Sequence, residues 1–202
     1  MRRSEPVYAI PSWINGHAIL QAARHFQDIR NPVTSAVVRR APLCGRENLA
    51  EAMRCARASL SSWADLGEAG RRQRLTALGE ALQGVAEHVV ALIAEENGMD
   101  TSVAGDVVKR LVARMHRPSG GEESVNVSVL SGAGQDFSDF VEKAIDRLAM
   151  GSALIVFPSL SGPSAWLVLA ELSGQCAFPP GVLNILYASD ADATIWVSEL
   201  GS

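Results

Sequence analysis

Two short apolar runs, 153–157 (Ala-Leu-Ile-Val-Phe) and 182–187 (Val-Leu-Asn-Ile-Leu-Tyr), stand on either side of a helix-length apolar-periodic segment, 163–172. Pro158 and a polar turn close the first run, and Phe178-Pro179-Pro180-Gly181 opens the second. Strand, helix and strand in that order make a βαβ unit. Parallel strands need such a crossover, and it is right-handed, so residues 151–187 predict a parallel sheet with helices on its faces. Sheets of this kind hold ligands beyond the carboxyl ends of their strands, which makes the residues after 157 the first place to look for chemistry.

The remainder of the chain supplies the flanking layers. Leu49, Met53, Ala56, Leu60 and Trp63 recur at helical spacing over 46–64. A second stripe, Leu75, Leu78, Leu82 and Val85, continues through Val89, Leu92 and Ile93 over 68–96, with a break expected at Gly84 and a cap at Gly98. A third helix is read over 103–115. Pro118-Ser119-Gly120-Gly121-Glu122-Glu123-Ser124 reads as a linker. A half-buried strand over 125–130, a small-residue turn at 131–134, a helix over 139–150 and a last helix over 190–200 complete the order. Residues 1–43 are extended instead: Trp13-Ile14 runs into an Asn15-Gly16 turn, and 28–32 and 35–42 are further strands. The predicted fold class is therefore α/β, a three-layer, open, mostly parallel Rossmann-like sheet flanked by helices. An N-terminal β-ribbon (1–43) projects from an α/β domain (44–202). A parallel sheet of only a few strands is expected to leave an apolar strand edge or helix face uncovered.

Composition excludes several functions. With 48% hydrophobic and 20% charged residues the chain is globular, and a net charge of −4 gives no basis for binding nucleic acid or an anionic membrane. Met1-Arg2-Arg3 is followed by no apolar signal core and no run reaches spanning length, so a soluble, cytoplasmic protein is expected. Cys44, Cys55 and Cys176 are odd in number and scattered, as suits small buried thiols. The four histidines lack metal-ligand spacing, so no metal is expected. Ser131-Gly132-Ala133-Gly134 could bring backbone N–H groups to a phosphate, but no full Gly-rich fingerprint accompanies it. Asp136 and Asp139 read as solvated turn acids, and Arg39-Arg40 and Arg71-Arg72 as solvated faces or subunit contacts.

Several segments together resemble the N-terminal and cofactor-domain part of the aldehyde dehydrogenases. They are Trp13-Ile14-Asn15-Gly16, Asn31-Pro32-Val33-Thr34 with Ser35 where Gly is usual, Glu95-Glu96-Asn97-Gly98, Ala170-Glu171-Leu172 and Phe178-Pro179-Pro180-Gly181-Val182-Leu183-Asn184. The resemblance implies NAD or NADP as cofactor. It also implies that the nucleophilic cysteine and general-base glutamate lie in a part of the family's chain that has no match here. The family's oxyanion-hole asparagine, in P-W-N-F-P, is matched by Asp136, and an ionised Asp cannot donate to an oxyanion. The family's K-P-S-E, whose lysine contacts the cofactor ribose, is matched by Phe157-Pro158-Ser159-Leu160, which offers no donor at Phe157 and no carboxylate at Leu160. Gly174-Gln175-Cys176 imitates the family's nucleophile loop but sits at a helix end without a neighbouring cation, and is read as a packing thiol.

These departures predict no catalytic residue and no bound cofactor: Asp136, Phe157, Ser159 and Leu160 are degenerate positions. The expected role is that of a non-catalytic subunit acting through contact with another protein, whether a second copy, a complete family member or another enzyme subunit. Two alternatives remain open. One is part of an NAD(P)-dependent aldehyde oxidoreductase with a partner chain supplying the catalytic half, and the other is a small-molecule sensing domain.

Overall fold

The computed structural model describes residues 7–20, 25–159 and 162–200. Its elements follow the order β1 (Ser12–Ile14), β2 (His17–Ile19), β3 (Phe26–Arg30), β4 (Val37–Pro42), α1 (Arg46–Ala64), α2 (Gly67–Gly84), α3 (Ala86–Asn97), α4 (Thr101–His116), β5 (Val127–Ser131), α5 (Phe137–Ala149), β6 (Ala153–Phe157), α6 (Pro163–Gln175), β7 (Leu183–Ile185) and α7 (Asp190–Leu200). The helix-length stretch 68–96 breaks beside Gly84, where α2 and α3 meet at a 78° bend. Gly98 ends α3 in the left-handed region at φ 62°.

The main sheet has the order β2-β1-β7-β6-β5. Its centre is the βαβ unit: β6 pairs parallel with β5 on one side and with β7 on the other. All five residues of β6 are buried, as a strand covered on both faces must be. Alternation divides its side chains. Leu154 and Val156 join Leu130, Leu183 and Ile185 under α2, α5 and α6, in one cluster with Leu75, Leu82, Phe140 and Trp166. Ile155 and Phe157 face the other way with Val129 and Leu186, under Leu49, Ala52 and Ala56 of α1 and Ala193 and Trp196 of α7. The sheet is thus the middle of three layers.

The N-terminal strands do not form one projecting ribbon. The β1–β2 hairpin is part of the main sheet, because β1 pairs antiparallel with β7 through Trp13 and Ile185. A buried asparagine fixes this attachment. Asn184 accepts a hydrogen bond from the Asn15 backbone N–H and donates to the carbonyls of Leu154 and Gly181. The last strand of the crossover is therefore interior, and the sheet edges are β2 and β5. Only β3 and β4 stand apart, as a two-stranded antiparallel ribbon. Its Asn31–Thr34 turn is held by Asn31, whose side-chain oxygen accepts from Val33 and Thr34 and whose amide donates to the Glu95 carbonyl. Ser35 closes it at φ 58°, a conformation that favours glycine.

Arg71 departs from its expected solvated position. It is buried, and its guanidinium donates to the carbonyls of Ala149 and Ala64 and to Glu123. One side chain thereby ties α1, the end of α5 and the 118–124 linker together. Arg72 does lie outside, paired with Glu68. Arg40 pairs with Asp28 and Arg39 with Glu95.

Candidate functional site

The carboxyl ends of β5 and β6 carry the residues on which a ligand would depend. Phe157 ends β6 and is 2% exposed, its ring 5.4 Å from that of Trp196 and tilted 52° to it. Ile155, Leu186 and Cys55 share the same apolar cluster. The end of β6 is thus filled by an aromatic pair, and Phe157 itself offers no hydrogen-bonding group to a ribose or a phosphate.

The loops beyond the two strands are closed against each other. Gly132 donates its N–H to the Phe157 carbonyl, and its α-carbon lies so close to the next strand end that a Cβ would stand 2.8 Å from the Ser159 nitrogen. Gly162, at φ 79°, meets Phe137 in the same way, with a Cβ falling 2.8 Å from the ring. These two glycines let the loops touch across the space where a nucleotide-binding sheet places its ligand. Leu160 lies outside the described residues.

Asp136 is not a free turn acid. It is the N-cap of α5, which begins two residues earlier than its apolar periodicity suggests. Its carboxylate accepts from the backbone N–H groups of Ser138 and Asp139 and from the Ser138 hydroxyl, and the hydroxyl's hydrogen bond foremost holds it below the usual carboxylate range. The helix N-terminus that a phosphate would use is already occupied by an anion of the chain itself. Asp139 points elsewhere, to Arg110. The Ser131–Gly134 turn consequently has no free helix end behind it.

Cys176 is half-buried at the C-cap of α6, and burial raises its thiol pKa. Burial likewise raises Cys55. Among the described residues, no group of three or more His, Cys, Asp or Glu side chains could hold a metal ion. No single helix there is long and apolar enough to cross a membrane.

Two features escaped sequence reasoning. The first is a groove of about 850 Å³ between the segment around Tyr8 and Ile10, β4, α3 and α6. Leu92, Leu167 and Val168 line it, and Arg39 and Glu95 stand at its charged side. The second is Glu96 beneath it, 3% exposed, accepting hydrogen bonds from the backbone N–H and the hydroxyl of Ser164. Burial raises its pKa to about 7, outweighing the two Ser164 hydrogen bonds and Arg39, which act to lower it. The sequence did hold a signal: Glu96 falls on the stripe of Val89, Leu92 and Ile93, where a carboxylate has to be buried.

Residues 19–129 match the profile of the aldehyde dehydrogenase family. The chain is 28% identical over 196 residues to the malonate-semialdehyde dehydrogenase of Pseudomonas aeruginosa, covering 86% of this chain and 39% of that protein. It is 25% identical to the geranial dehydrogenase of Castellaniella defragrans, covering 85% and 41%. The chain therefore spans about two fifths of the length of the curated relatives it matches. Among solved structures, aldehyde dehydrogenase 21 of Physcomitrella patens in complex with succinate superposes with a TM-score of 0.81 at 18% identity, over 95% of this chain and 45% of that one. The lactaldehyde dehydrogenase of Escherichia coli superposes with a TM-score of 0.78 at 20% identity, over 91% of this chain and 43% of that one. At these identities the structural likeness establishes the fold.

Proposed function

The chain belongs to the aldehyde dehydrogenase family, and from that premise we propose that this part of the fold works as a scaffold, in contact with another protein subunit, without holding a dinucleotide itself. The observation that carries the reading is the filled end of β6, where Phe157 packs on Trp196. The core still has to bury apolar surface, worth about 25 cal/mol per Å², whether or not a ligand binds, and that requirement keeps the layers intact. Contact with a partner is supported by the apolar side chains left exposed on the N-terminal strands and turns: Leu20, Phe26 and Val33 are 72%, 48% and 74% exposed. A cytoplasmic protein is part of the same reading, since an odd number of cysteines scattered along the chain suits a reducing compartment.

Two measurements test it. Calorimetric titration of the 202-residue chain with NAD and with NADP is expected to give no saturable heat, and micromolar binding of either would refute the absence of a dinucleotide site. Light scattering after size exclusion is expected to show an assembly, and a well-behaved monomer would remove the scaffold role.

The semialdehyde dehydrogenases among the relatives favour a second reading, in which the chain is one part of an NAD(P)-dependent aldehyde oxidoreductase and a partner chain brings the catalytic half. Co-purification from the native host, followed by an assay of NAD reduction with malonate semialdehyde, separates the two. Turnover by the co-purified complex, lost when this chain is removed, would favour the second.

A further inference from the structure

Arg71 brings a positive charge to a place where two helices end, and it is 1% exposed. Its Nε–H donates to the Ala149 carbonyl at 3.1 Å and an Nη1–H donates to the Ala64 carbonyl at 3.4 Å. The guanidinium thus closes the C-terminal ends of α5 and α1, where a cation is favoured. Gly151 lies against it: a Cβ there would stand 3.5 Å from the guanidinium carbon.

Among the described residues Arg71 has one ion pair, from Nη2 to Glu123 at 2.7 Å. The pair is lopsided. Arg71 is buried, whereas the Glu123 side chain is 58% exposed and engages through a single oxygen. A guanidinium carries five N–H donors, and Ala149, Ala64 and Glu123 take three of them. The other two, one on each terminal nitrogen, have no hydrogen-bond partner among the described residues.

A pocket of about 290 Å³ opens at this fork. Its other cation, Arg72, is paired with Glu68 at 2.9 Å. Its outer wall is the 118–124 linker, which is pinned at both ends. The Ser119 N–H donates to the Asp146 carboxylate, and the Ser124 N–H donates to the Met150 carbonyl. Gly121 packs so closely on Met150 that a Cβ would stand 2.6 Å from the sulfur. Glu123 lies between these pins, so its side chain can rotate into water while the linker stays in place.

We propose that this pocket is a binding site for a small free carboxylate, and that Glu123 is its tethered occupant. When Glu123 swings out, Nη2 offers two free N–H groups and Nη1 one, enough for two parallel hydrogen bonds to a carboxylate, which the end-on contact of Glu123 does not make. A buried guanidinium without a counter-charge is costly, so departure of the tethered anion calls for a free one. The volume is close to the ~300 Å³ at which ligand pockets begin, and Ala64 and Met150 offer apolar surface to a short carbon chain. The site is independent of the scaffold reading, which neither requires it nor excludes it.

Acetate is the probe. An NMR titration of the full chain follows the Arg71 Nε–H and the amides of Gly121 and Gly151, with sodium chloride at equal ionic strength as the control. In Glu123→Ala the three signals are expected to shift saturably with acetate and not with chloride. In the parent chain the same shifts are expected at about tenfold higher acetate, because a tethered rival competes at an effective concentration on the order of millimolar. Glu122→Ala removes the same charge from a residue that does not line the pocket, and is expected to titrate like the parent. Three outcomes would overturn the proposal: no saturable acetate shift in Glu123→Ala, equal midpoints in Glu123→Ala and the parent, or the same gain in Glu122→Ala. If Glu123→Ala does not fold, the parent titration decides, since acetate-specific shifts at Arg71 support the site and their absence refutes it.

Discussion

Phe157 is the residue on which the reading of this chain turns, because the same position can belong to a ligand site or to a core. Its 2% exposure and its contact with Trp196 assign it to the core. Phe157→Ala removes a ring that no neighbour can replace without moving, and is expected to cost about 3–5 kcal/mol in urea unfolding. A loss under about 1 kcal/mol would mean that the ring is not packed as described. Two other residues repeat the lesson in polar form. Arg71 and Glu96 both sit at positions where helix periodicity asks for an apolar group, and both are buried with hydrogen-bond partners far along the chain. Their charge made Arg71 read as surface, since the partners that permit burial cannot be seen from neighbours in sequence.

At the scale of the element, α5 shows how a residue can look chemically altered and be structurally occupied. Asp136 stands at a position that the family resemblance associates with an asparagine, and it caps the helix through the N–H groups of Ser138 and Asp139. Asp136→Ala is expected to destabilise the fold by about 1 kcal/mol, while Asp136→Asn, which caps equally well, is expected to stay within a few tenths of the parent by the same urea measurement. If both substitutions cost the same, the cap is not what Asp136 contributes. The bounds of α1 and α7, the break beside Gly84 and the cap at Gly98 were legible in the sequence, since each follows from local periodicity or from glycine's backbone freedom, whereas α6 runs on to Gln175, three residues past its clear stripe. The start of α5 was not legible, because its first turn carries the cap and the side chains Phe137 and Ser138, which precede the clear part of the stripe.

Across the whole molecule, the sheet divides the core unequally. One face is buried by helices α2 to α6, and the other by α1 and by α7, which contributes Ala193 and Trp196 as its buried residues. Local opening is cheapest where few buried apolar groups hold an element. Native-state hydrogen exchange is therefore expected to find the α7 amides the least protected of the helices and the β6 amides the most protected of the strands. Equal protection in α7 and β6 would mean that both layers open only with global unfolding.

The sequence by itself determined the fold class, the parallel βαβ centre and the three-layer arrangement, because these depend on local periodicity and on the handedness of a crossover. Only the tertiary structure decided that the first hairpin joins the main sheet, that Phe157 meets Trp196, that loops after β5 and β6 close on each other, and that Glu96 is buried against Ser164. Each of these is a contact between residues from 25 to 172 positions apart. Such contacts depend on how layers pack and which polar groups find partners, and neither is written in the spacing of apolar residues along the chain.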